Sequence, residues 1–92
     1  MDQREVRTFV FNRDGGHCTV CDRKVEWPGQ LAHKIPQTKR NLHVYGESVI
    51  HHPLNMALVC GLHCNDAVSI SNHPVEIADL VELIDATIRS EP

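Results

Sequence analysis

The sequence is poor in aromatic residues: Phe9, Phe11, Trp27 and Tyr45 make up 4% of it. A chain of 92 residues buries only about 60–65% of its unfolded surface. With so few large rings the core is thin, and a covalent or metal staple is expected. No apolar run approaches the ~18 residues of a spanning helix, which excludes a transmembrane helix. There is no internal repeat and no low-complexity tract, so a single domain over 1–92 is expected. An overall positive charge is missing too, since the formal net charge is −3. Taken alone, that argues against nucleic acid. The distribution argues otherwise. Residues 1–40 carry eight Lys/Arg against five Asp/Glu, whereas residues 41–92 carry one against seven. Such asymmetry implies one basic and one acidic face. The opening Met1-Asp2-Gln3-Arg4-Glu5 is charged and no apolar run follows it. A cytoplasmic location is therefore expected, where paired thiols more often bind metal than oxidise.

What the chain does have is four cysteines in two pairs, Cys18-x2-Cys21 and Cys60-x3-Cys64. Zinc takes four N or S ligands in a tetrahedron, and two knuckle-like pairs supply them. Three cysteines with His63 are a second ligand set, because His63 stands at the x2 position after Cys60. Two disulfides are the oxidised alternative. A site closed by four thiolates has no open position, so its zinc is structural and activates no water.

Periodicity places the elements around these pairs. Val6, Phe9, Val10 and Arg13 follow helical spacing over 3–14, and Asp14-Gly15-Gly16 ends that helix. Arg4, Arg7 and Arg13 mark its polar face. Pro28-Gly29 marks a turn, and residues 30–35 read as a short strand stopped by Pro36. On that strand Leu31, His33 and Ile35 share a face. Residues 37–50 form a long connection with one or two helical turns. Met56–Val59 reads as a second strand, and 61–71 turns helical. Over 74–90, Ile77, Leu80, Val81, Ile84 and Ile88 line one face of a helix and Glu76, Asp79, Glu82 and Asp85 the other. That helix either closes the core or pairs with a second copy of itself, as a homodimer.

Two further residues suit chemistry. An imidazole such as His33 takes a proton from water near neutral pH. Asn55, ahead of the second cysteine pair, has an amide able to orient that imidazole or the attacking water. Phosphodiester hydrolysis also calls for a divalent cation on the scissile phosphate.

The string Cys18-x2-Cys21, Ala32-His33-x-Ile35-Pro36, His52-x2-Asn55-x4-Cys60-x3-Cys64-Asn65 resembles the HNH endonuclease family. The resemblance runs from about Phe9 to Ile70. It implies an α+β fold: a small ββα-metal (His-Me finger) core with a structural zinc and flanking N- and C-terminal helices. It implies a metal-dependent DNA endonuclease that nicks or cuts with weak sequence specificity. His33 takes the place of the general base and Asn55 that of the Asn orienting it. Asn65 takes a position usually held by His, where its amide oxygen can serve Mg²⁺ or Mn²⁺. Lys34, Lys39 and Arg40 are the expected phosphate contacts. Ala32 stands where the family often carries an acidic metal ligand. This departure leaves a second reading, a catalytically degenerate zinc-ribbon module that binds DNA or protein.

Overall fold

The computed structural model describes residues 2–90. Helix α1 spans Gln3–Arg13, and the Asp2 side chain caps it by accepting from the Glu5 amide at 2.8 Å. Strand β1 (Gln30–His33) pairs antiparallel with β2 (Met56–Val59) in a two-stranded sheet. Between them lie α2 (Lys39–Tyr45), α3 (Glu47–Ile50) and a 3-10 turn, Pro53–Asn55. Helices α4 (Leu62–Val68) and α5 (Pro74–Ser90) follow. The fold is a small α+β one. None of its helices is long and apolar enough to cross a membrane.

The long connection holds more helix than its broken periodicity suggests. Thr38 caps α2 by accepting from the Asn41 amide, and Gly46, at φ +87°, ends α2 and opens α3. A left-handed residue interrupts the helix there, so the hydrophobic spacing breaks with it.

All four residues of β2 are buried. Its register sets Leu31 opposite Leu58, Ala32 opposite Ala57 and His33 opposite Met56. Alternation therefore puts Leu31 and His33 on one face and Ala32 on the other. Ala32 is fully buried in one cluster with Val6, Val10, Val25, Met56, Leu58, Val59, Cys18 and Cys64. Helix α1 packs on β2, α4 packs on both strands, and α5 packs on α3 and the 3-10 turn.

Beyond that cluster, an Arg13–Asp14 pair locks α1 to β2. Arg13 donates to the carbonyls of Pro53 and Met56 and pairs with Asp14 at 3.0 Å; Asp14 Oδ2 accepts from the Leu58 amide at 2.9 Å. These contacts join residues about forty positions apart in sequence.

Candidate functional site

The cysteines converge. A turn after α1 carries Cys18 and Cys21, with the Cys18 amide donating to Arg23 O at 2.8 Å and Asp22 at φ +63°. Thr19 stitches this turn to β2, since its amide and hydroxyl both donate to the Leu58 carbonyl. Cys60 follows β2 directly, and Cys64 lies in the first turn of α4. The four Sγ atoms lie within 4.8 Å of one another. Sγ separations are 3.6 Å for Cys21–Cys60 and 3.8 Å for Cys60–Cys64. A tetrahedron with Zn–S bonds of about 2.3 Å has S···S edges of about 3.8 Å. The set therefore fits a structural metal such as zinc. His63 Nε2 reaches Cys60 Sγ at 3.6 Å, but the four-membered cluster consists of cysteines.

The thiols are electrostatically strained against one another. Burial, with the neighbouring Cys18, Cys60 and Cys21 thiols, pushes Cys64 up to about 12. Burial also raises Cys60. At Cys18 burial pushes up as well, but backbone hydrogen bonds prevail and bring the thiol down to about 6. One thiolate, at Cys18, forms readily, but all four ionise together only around a cation, which is the state a zinc site requires.

His33, at the end of β1, is half-buried, and its Nε2 is buried without a hydrogen-bond partner. Its ring meets that of His51 nearly edge-on, with centroids 5.7 Å apart. Burial lowers its pKa, and the charge of His51 lowers it further. The imidazole is thus held neutral at pH 7, with a proton-accepting nitrogen to offer.

Asn55 is fully buried, and its amide faces backbone. Oδ1 accepts from the Ile35 amide at 2.8 Å; Nδ2 donates to Ile35 O at 3.1 Å and Ile50 O at 2.8 Å. Its own carbonyl accepts from Lys34 N at 2.8 Å. Asn55 thus holds the segment just after His33 and bonds to neither the imidazole nor solvent. His52 caps the 3-10 turn, accepting from Leu54 N through Nδ1 at 3.1 Å.

Asn65 and Asp66, on α4, share with His33 the wall of a hollow of about 630 Å³. Among the described residues only the cysteines bring three or more His, Cys, Asp or Glu ligand atoms together. Beside the amides of Gln30, Gln37 and Asn72, a hard cation would find there the Asn65 amide oxygen and one carboxylate, that of Asp66. This pair fits Mg²⁺, which binds through one or two carboxylates and completes its shell with water and phosphate. Asp66 escapes motif reading because it stands one residue beyond the position that the motif marks.

The basic residues divide. Lys34, one residue past the end of β1, lines a different hollow, with Arg13, Asp14 and Ala57. Lys39 and Arg40 are exposed at the start of α2. The cation that does line a hollow with His33 is Arg7, together with His51. No family model matches the chain, and no match is found among curated proteins or solved structures.

Proposed function

We propose that the chain is a metal-dependent DNA endonuclease in which His33 is the general base, and that its β1–β2–α4 unit is a ββα-metal core. The observation that carries this reading is the His33 imidazole. It is kept neutral by its surroundings, its Nε2 has no partner, and it borders a hollow walled by Asn65 and Asp66. His33 would take a proton from the attacking water. Asn65 and Asp66 would hold Mg²⁺ or Mn²⁺, which when bound neutralises charge on the phosphate and the leaving oxygen. Asn55 acts on His33 through the backbone, as a positioning residue. The cysteine cluster, loaded with zinc, fixes α4 against β2.

Plasmid relaxation by zinc-loaded protein with Mg²⁺ or Mn²⁺ tests this directly. Wild type should convert supercoiled plasmid to open circle; His33→Ala should not, with zinc content and melting unchanged. Equal cleavage by the variant would remove His33 from the role of base. The burial of Ala32 in the core favours a second reading, in which the missing acidic ligand has left a DNA- or protein-binding module. Salt-sensitive DNA binding without strand breakage under either cation would select it.

A further inference from the structure

His33 borders two hollows of opposite character. The one toward α4 contains Asp66. The other, of about 410 Å³, is lined by Gln3, Arg7, Gln37 and His51 around His33, with no acidic residue on its wall. Arg7 is half-buried, and among the described residues it forms no ion pair. A partly desolvated guanidinium without a carboxylate is costly to keep.

The guanidinium is also tethered. Its Nη1 donates to Gly29 O at 3.2 Å, which leaves its remaining N–H groups available. That carbonyl is itself fixed. Gly29 has φ +68°, and a Cβ there would lie 2.6 Å from Val25 Cγ1 and 2.7 Å from Leu58 Cδ1. A tethered planar fork is suited to two oxygens of one phosphate. The exposed His51 ring lines the same hollow and meets His33 nearly edge-on.

We infer that Arg7 and His51 form an anion subsite that grips a backbone phosphodiester next to His33, with Gln3 and Gln37 as neutral donors. This rests on the nuclease reading and names residues of the substrate grip. The phosphate would then lie in the hollow of Arg7 and His51 beside His33, with Asp66 in the other hollow.

The test is an NMR titration of the zinc-loaded chain, following the imidazole signals of His33 and His51. Dimethyl phosphate is one probe and inorganic phosphate the other. Both should give saturable shifts at the two rings. Arg7→Gln and His51→Gln should each weaken binding roughly tenfold, about the scale of one charge-assisted hydrogen bond. Melting and zinc content establish that each variant is folded, and Arg7→Lys serves where Arg7→Gln is not. The lysine variant keeps the charge but loses the fork, so it too should bind more weakly. Absent shifts, or shifts indifferent to these substitutions, would overturn the subsite. Saturation by inorganic phosphate alone would also overturn it, in favour of a free-phosphate site. Plasmid relaxation is run alongside. Diester shifts without nicking would refute the nuclease and keep the subsite; nicking without shifts would do the reverse.

Discussion

Asn55 offers the sharpest quantitative test. Asn55→Ala would strip three side-chain hydrogen bonds from a fully buried position. The Ile35 amide would be left without its acceptor, at about 1–3 kcal/mol. Two carbonyls would each lose a donor, at about 0.5–1.5 kcal/mol apiece. The total is roughly 2–6 kcal/mol, a large part of the ~5–15 kcal/mol that stabilises a typical domain. For a chain of this size, at about 4–8 °C per kcal/mol, melting should fall by roughly 10 °C or more with zinc still bound. Hydrogen exchange at the Ile35 amide should rise toward the rate of an open loop. Asn55→Asp separates hydrogen bonding from volume. Its carboxylate would face the Ile35 and Ile50 carbonyls where Nδ2 now donates. Burial and those dipoles would raise its pKa, so the folded form would favour the protonated acid. The sign follows: the deficit against wild type should grow as pH rises above ~4, the unfolded carboxyl value, and narrow below it. A loss under about 1 kcal/mol for Asn55→Ala, or a pH-independent deficit for Asn55→Asp, would refute the buried-anchor account.

The other expectations concern the two clamps on β2. Chelating the metal should unfold the chain, because structural zinc contributes on the order of 10 kcal/mol at neutral pH. Metal analysis should find one zinc per chain, retained by His63→Ala and lost or weakened by Cys64→Ser; the reverse pattern would exchange the fourth ligand. At Asp14, burial pushes the carboxyl up, but the Arg13 hydrogen bond, the Leu58 amide and the charges of Arg13 and Lys34 bring it below the usual value. A depressed carboxyl stabilises above its unfolded value of ~3.9 and loses that contribution as pH falls through the folded one. Urea titrations of wild type and Asp14→Asn should therefore differ at neutral pH and converge in acid. A gap that does not narrow would show that the carboxylate charge is not what matters.

Much of this was legible from residue patterns. A run such as Met56–Val59 between turn signals can hide all its side chains in one short strand, and it does. The α5 pattern gave a helix over Pro74–Ser90, but only Ile84 on it is fully buried, and Val75 and Leu83 are exposed. Periodicity reports which residues could face a core; it does not report how much core is there. Asn55 shows a different limit. Its amide suggested water or imidazole, yet a fully buried amide must satisfy its own donors and acceptor first, and the nearest partners are backbone. Lys34 could have been placed apart from His33, because the strand expected over 30–35 turns adjacent residues to opposite faces. Arg7 could not. Its helix face looks solvated in one dimension, and its tether lies 22 residues away at Gly29.

The same architecture explains how so small a core holds the His33 imidazole in place. Strand β2 has Asn55 at one end and Cys60 at the other. Asn55 pins the backbone that follows His33, and the β1–β2 register fixes His33 opposite Met56, the residue next to Asn55. At the far end, Cys60 and Cys64 tie the start of α4 to the turn holding Cys18 and Cys21. Asn65 directly follows Cys64, so its place relative to His33 is set through β2 and the cluster rather than through α4 packing alone. Weakening either end should therefore disturb the His33–Asn65 relation without touching either residue. The two ends differ in kind, however. Asn55 acts through neutral hydrogen bonds to backbone groups, none of which is a metal ligand or a thiol. The cysteine end would hold only while the thiols stay reduced and ligated, so oxidation, like chelation, should act on the fold from that end.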